Sequence, residues 1–177
     1  MKLYQFIFII QILTYTNSFS QEKNYVKLFK TSKEATVTIS NSIDLDKYKD
    51  IIVIPPGIMF TKYFAKIGYF NEAINYKNLV KKYNAEKNGE LKSTIYGEYY
   101  KNEKESLTLY LNMYPDDTVE LSLGKFGYGA IFTVRSKYST NLVGIHAGTK
   151  TIPKSTINAM MNELVNYIRD NSKTYKL

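Results

Sequence analysis

Leu107-Thr108-Leu109-Tyr110-Leu111-Asn112-Met113-Tyr114-Pro115-Asp116-Asp117-Thr118-Val119-Glu120-Leu121-Ser122-Leu123 is the stretch whose reading decides the fold. Leu107, Leu109, Leu111 and Met113 point one way, and Thr108, Tyr110, Asn112 and Tyr114 the other, a period of two that belongs to a strand. Pro115-Asp116-Asp117 supplies turn chemistry, with proline fixing φ at the first central position. Val119, Leu121 and Leu123 then resume the apolar side. The stretch predicts a β-hairpin with one apolar face, and that face needs a cover.

Both directions from the hairpin supply strands and covers. Gly124, Gly127 and Gly129 bound a loop, Ala130 to Val134 reads as the next strand, and Leu142 to Ala147 as a last one. A helix from near Ser155 closes the chain. Its buried stripe is Ile157, Met160, Met161, Leu164 and Ile168, and Arg169 and Lys173 stand where the helix dipole favours cations. Upstream, Ile95 to Tyr100 reads as a tyrosine-rich strand. Tyr76, Leu79, Val80 and Tyr83 fall at i, i+3, i+4 and i+7 of a helix that Asn75 would cap and Ile74 would staple through Leu79.

Residues 58–71, with Phe60, Tyr63, Phe64, Tyr69 and Phe70 around Gly68, read as an aromatic, irregular connection. Ile51-Ile52-Val53-Ile54 is apolar on both faces and is expected as the core's central strand, stopped by Pro55-Pro56-Gly57. Thr36 to Ile39 alternates and predicts a half-buried strand. The expected class is α+β, a mostly antiparallel twisted sheet with two helices packed on one face. No internal repeat or second-domain boundary is apparent.

Lys2 followed by the apolar run through Leu13 is too short for a bilayer span, which takes about 20 residues. Ser18-Phe19-Ser20 offers small residues at both positions a signal peptidase reads. Residues 1–20 therefore predict a cleavable signal peptide, 21–34 a solvated lead-in, and 35–177 a single α+β domain. The expected location is periplasmic or extracellular, peripheral to the cell envelope, with no transmembrane segment in the mature chain.

Composition removes several chemistries. The chain has 177 residues, no cysteine and one histidine, which excludes zinc fingers, Fe–S clusters, cysteine nucleophiles and multi-histidine metal centres. The net charge is +8, yet of the 24 basic side chains only Arg135 and Arg169 are arginine. Base readout favours bidentate arginine, so nucleic acid is not the expected partner, and the lysines fit diffuse attraction to anionic phosphates or polysaccharides. AT-rich codons account equally well for the lysines and the 17 tyrosines.

The motifs that invite a catalytic reading fail on spacing. Gly144 to Lys150 runs Gly-Thr-Lys where a phosphate loop needs Gly-Lys-Ser/Thr, and Gly124 to Gly129 leads into a strand where a dinucleotide fingerprint opens a helix. Asp44-Leu45-Asp46 lacks the ligand and glycine a calcium loop requires. His146 stands without a Gly-x-Ser-x-Gly elbow. Glu98, Asp116, Asp117 and Glu120 are the carboxylates from which a glycoside-cleaving pair could be drawn, though acids at the hairpin turn fit solvated turn chemistry. No catalytic residue, metal set or cofactor is expected. The aromatics are the suggestive feature: Tyr96, Tyr99, Tyr100, Tyr110 and Tyr128, with Tyr114, could line a face that stacks on sugars or receives a peptide.

Through Ile52 to Pro56, Ile67-Gly68-Tyr69-Phe70-Asn71-Glu72 and the closing helix from Asn162 to Lys173, the chain resembles uncharacterised small exported envelope proteins of Bacteroidetes-type bacteria. It also looks loosely like the accessory-lipoprotein domains of curli-secretion and peptidoglycan-synthase-activator proteins, although it lacks their lipidation cysteine. Export and a compact α+β domain with no recognisable catalytic constellation lead to the expectation of an exported, non-catalytic binding or assembly protein with an envelope protein or glycan as partner, and the accessory-lipoprotein domains it loosely resembles likewise bind other proteins without catalysis. The alternatives are a small hydrolase of envelope polysaccharide or peptide, using His146 or Glu98, and an immunity protein against a secreted toxin. Signal cleavage has a direct check: the intact mass of the secreted species should correspond to a chain starting at Gln21, and a mass retaining residues 1–20 would refute the leader.

Overall fold

A computed structural model describes residues 24–54, 60–79, 81, 106–125, 129–138 and 152–177. Its strands are β1 (Thr36–Ser40), β2 (Asp50–Val53), β3 (Glu72–Asn75), β4 (Ser106–Met113), β5 (Thr118–Lys125) and β6 (Gly129–Lys137), and its two bounded helices are α1 (Phe60–Ile67) and α2 (Lys154–Asn171). The strands form one sheet in the order β1-β6-β5-β4-β2-β3. Pairing is antiparallel from β1 to β4 and parallel for β4 with β2 and β2 with β3. The fold is α+β as expected, on a mixed sheet. Among the described residues no helix is long and apolar enough to cross a membrane.

The hairpin forms as its period dictates. Leu109 pairs with Leu123 and Leu111 with Leu121, so their side chains share a face, while Tyr110 opposes Ser122 and Asn112 opposes Glu120 on the reverse. The turn closes through Tyr114 N donating to Thr118 O at 2.8 Å. Asp117 adopts a φ of 60°, the left-handed region that Asp tolerates better than most residues, and Asp116 Oδ1 accepts from Thr118 N at 3.2 Å.

The greasy face meets α2, whose Ile157, Met160, Met161, Leu164 and Ile168 are all buried, together with Ile51, Val53, Leu107, Leu109, Val119, Leu121 and Leu123. Phe60, Phe64 and Ile67 of α1 join the same cluster. Two helices thus share one face, but α1 occupies residues read as irregular. Its buried residues recur at i, i+4 and i+7 with Thr61, Lys62 and Lys66 between them, a helical stripe hidden among neighbouring aromatics. A parallel β2–β3 pair requires a crossover, and α1 supplies it. Gly68, at a φ of 68°, ends the helix in the left-handed conformation, its N–H bonded to Phe64 O at 2.9 Å.

The helix expected after Asn75 opens at 76–79, with Asn75 Oδ1 accepting from Lys77 N at 2.9 Å. Leu79 packs with Ile52 and Ile74 in a separate small cluster. Ile52 alternates with Ile51 and Val53, so this helix meets the reverse face of the sheet. That explains a strand apolar on both sides. β2 is an interior strand, second from the edge of the sheet and not at its centre. β1 is a correction too: all five of its residues are exposed, because among the described residues it is the other edge strand and its register slips between Val37 and Ile39. The expected signal at 1–20, the prolines at 55–56, the continuation of the second helix to Gly89, and the strands at 95–100 and 142–147 lie outside the described residues.

Most of residues 24–34 are exposed, yet the segment is anchored along the domain. Residues 24–31 run antiparallel along α2, and Phe29 is buried to 6% exposure. Asn158, Asn162 and Asn166 stand at i, i+4 and i+8, one row on the helix. Asn162 accepts from Phe29 N and donates to Phe29 O, both at 2.8 Å; Asn166 does the same for Val26 at 2.9 Å; Asn158 donates to Lys30 O at 2.7 Å. Arg169 Nη1 donates to Asn24 O, and Thr31 Oγ1 to Ser155 O at 2.7 Å, fastening both ends. A primary amide carries the donor and acceptor of a peptide group, so the row acts as a substitute strand edge for a segment that has no sheet partner among the described residues. Past α2, the chain folds back to Asp46, whose carboxylate accepts from the Ser172 hydroxyl at 2.5 Å, the Thr174 hydroxyl at 2.6 Å and Lys173 N at 2.7 Å. Those hydroxyls hold it well below the usual carboxylate range.

Asn162 is 1% exposed and satisfies both polar groups of Phe29, so Asn162→Ala orphans a buried N–H and C=O. Urea denaturation is expected to register a loss of about 2–4 kcal/mol. A loss below about 0.5 kcal/mol, the range of ordinary surface substitutions, would mean that the row does not hold the segment.

Candidate functional site

From β4 to β1 the reverse face of the sheet is mostly polar, and strand register decides which groups meet there. Asn112 opposes Glu120, Glu120 opposes Arg135, and Arg135 opposes Thr36, one row across β4, β5, β6 and β1. The neighbouring row is Tyr110, Ser122, Thr133 and Ile39. Ser122 Oγ and Thr133 Oγ1 share a hydrogen bond at 3.2 Å, and Thr108 Oγ1 donates to Gly124 O at 3.3 Å. A Cβ on Gly124 would sit 3.0 Å from Thr108 Oγ1 and 3.7 Å from the Tyr110 ring, so the glycine lets these side chains lie flat across the strand.

Glu120 is the buried charge of this face, at 7% exposure. Arg135 Nε donates to its Oε2 at 2.6 Å, while Tyr114 OH, Ser122 Oγ and Asn112 Nδ2 donate to Oε1 at 3.1, 3.2 and 3.4 Å. Burial pushes the carboxyl up, but the bond from Arg135, followed by those from Asn112 and Tyr114, outweighs it and leaves the group below its ordinary value. The guanidinium also stands over the Tyr114 ring, with Cζ 5.6 Å from the centroid. Two contacts therefore fix a side chain that is itself half exposed.

Arg135 opens into a cleft of about 640 Å³ lined by Glu34, Thr36 and Thr38 from the β1 side, Ser136 and Lys137 from β6, and Tyr114, Pro115, Asp116 and Thr118 from the hairpin turn. Ser136 Oγ donates to Glu34 O at 2.7 Å and ties the β1 wall to β6. Asp116 accepts from the Thr118 hydroxyl at 2.9 Å, and that bond, helped by the charge of Lys137, keeps its carboxyl below the usual range. The cleft holds donors, acceptors and a partly exposed aromatic ring on strands and a tight turn.

Of the tyrosines expected to form a ligand face, Tyr110 stands on the polar face, partly exposed and beside Gly124. Tyr96, Tyr99, Tyr100 and Tyr128 lie outside the described residues, as do Glu98 and His146. Tyr114 takes the more telling place, bonded to Glu120 and lining the cleft. Asp116, read as turn chemistry, does serve the turn and also faces the cleft. Arg135, Lys137 and Thr36 went unmarked as site residues. Their signal was the polar parity of adjacent strands, usable only once the register across residues 126–128 is known.

Compared with known proteins, the chain matches no family model, no curated protein and no solved structure.

Glu120 and Arg135 make a pH test. With its folded value depressed, the Glu120 carboxyl contributes stability above the ordinary carboxylate range, and that contribution is lost as pH falls through the folded value. Arg135→Ala removes the largest lowering partner, so burial dominates and the carboxyl moves up. The variant is expected to be less stable than the parent at pH 7, with the deficit shrinking as pH is lowered toward 4 in a denaturation series. A deficit constant over that interval would refute the assignment.

Proposed function

We propose that this chain is an exported, non-catalytic binding protein of the cell envelope, and that it binds through the cleft between β1, β6 and the β4–β5 turn. The observation that carries the reading is the Glu120–Arg135 arrangement. A carboxylate surrounded by four donors and pushed toward ionisation is a positioning anion, whereas a general acid for glycoside cleavage needs its carboxyl raised. What it positions is a guanidinium at the rim of an open cleft. Fixing the donor before the ligand arrives removes an ordering cost from binding, and that suits recognition. The leader-like residues 1–20 and the basic surface support a place among the anionic polymers outside the cytoplasm.

The test uses the secreted chain immobilised and exposed separately to glycan and protein fractions of a bacterial envelope. One fraction is expected to be retained, to elute with its mass unchanged, and to be retained at least tenfold less by Arg135→Ala and Lys137→Glu. Shortened products in the eluate would replace this reading with the hydrolase, and retention indifferent to both substitutions would place binding elsewhere.

A further inference from the structure

Resting on that binding reading, we propose that the cleft takes an acidic sugar residue, its carboxylate on Arg135 and its ring against Tyr114 and Pro115. The Glu120 bond takes the Nε–H of Arg135. The remaining guanidinium N–H groups form a planar fork whose spacing matches a carboxylate, and the Tyr114 ring holds that plane in place. Lys137 adds a second cation to the same cleft.

The acceptors decide between a bare anion and a sugar. Glu34 and Asp116 also line the cleft, and they would repel an inorganic phosphate or sulfate. For a ring that carries one carboxylate and several hydroxyls, the same two groups are hydrogen-bond acceptors, joined by the Thr36 and Thr118 hydroxyls. Tyr114 is 36% exposed beside Pro115, which gives an apolar platform for the C–H face of a ring. At about 640 Å³ the cleft falls within the size range of small-molecule sites.

An extended peptide is the natural rival, because β1 is an edge strand with Val37 and Ile39 exposed. The register slip between those residues argues against it. Strand addition needs evenly alternating N–H and C=O groups, and a bulge breaks the alternation where the added strand would begin to pair. The chain's net charge of +8 further favours a polyanionic partner.

The experiment titrates the secreted chain by calorimetry with oligogalacturonate, with the same oligomer fully methyl-esterified, and with a peptide of similar length bearing a free carboxyl terminus. Saturable binding of the free acid is expected, at least tenfold weaker for the ester and for Arg135→Ala. Arg135→Lys, which keeps the charge and loses the fork, should fall between. Circular dichroism spectra matching the parent establish that the variants fold. Equal affinity for acid and ester, or tighter binding of the peptide, would overturn the proposal. If oligogalacturonate does not bind while Arg135→Ala still abolishes envelope retention, the acidic-sugar assignment fails and the binding function stands; if both are without effect, both fall.

Discussion

The row of Asn158, Asn162 and Asn166 on α2 is the constraint on which the rest of the structure depends. α2 is buried on nearly every side. Its apolar stripe is covered by the sheet and its asparagine side by residues 24–31, and there the amides replace the water that the covered backbone groups lose, each group left unmet costing about 1–3 kcal/mol. The dependence is mutual, since among the described residues the amides are that segment's ladder. Its hold extends into the sheet. Five residues after Thr31, which is fastened to Ser155, the chain enters β1, and Glu34 on the way is bonded to Ser136. The position of the edge strand, and with it one wall of the cleft, is thus set by polar contacts on the far side of a helix.

How much of this was legible follows from the range of each signal. The β4–β5 hairpin and the stripe of α2 are local periodicities, and Leu107 to Leu123 and Ile157 to Ile168 declare them without reference to anything distant. The start of the helix at 76 was equally local, in one Asn and one Ile. α1 has the right period in Phe60, Phe64 and Ile67, but Tyr63 within it and Tyr69 and Phe70 just beyond it blur the pattern. Parallel pairing of β2 left no trace beyond its two-sided apolarity, because a strand's period does not name its neighbour. The asparagine row was the least legible element. Spacing of four shows a shared helical face, and a polar face ordinarily means water; only the distant Val26 and Phe29 backbone turns it into an interface.

The site follows the same logic at the level of register. Asn112, Glu120, Arg135 and Thr36 are separated in sequence by connections of quite different length, and each lies on the polar side of its own strand for reasons of amphipathicity alone. Sheet closure converts that parity into a row. A slip of one residue between β5 and β6 would turn Arg135 into the core and Val134 to the surface, so the apolar packing of Val134 against the helix side enforces the Glu120 contact. Hydrophobic burial, worth about 1.5–3 kcal/mol for a side chain of this kind, is what makes the polar geometry unique.

That accounts for a buried carboxylate in a domain that could have been built without one. Desolvating a charge is expensive, and replacing a buried ion pair by apolar residues is often neutral or stabilising, so Glu120 is not explained by stability. Its four donors include the only arginine on the sheet, and they fix that side chain while leaving it half exposed. A lysine at 135 could neutralise Glu120 as well, but it would present a rotating point charge, not an oriented plane. The expense of burying Glu120 is intelligible as the requirement for holding one flat donor at the rim of the cleft, with the edge strand, the turn and the Tyr114 ring arranged around it.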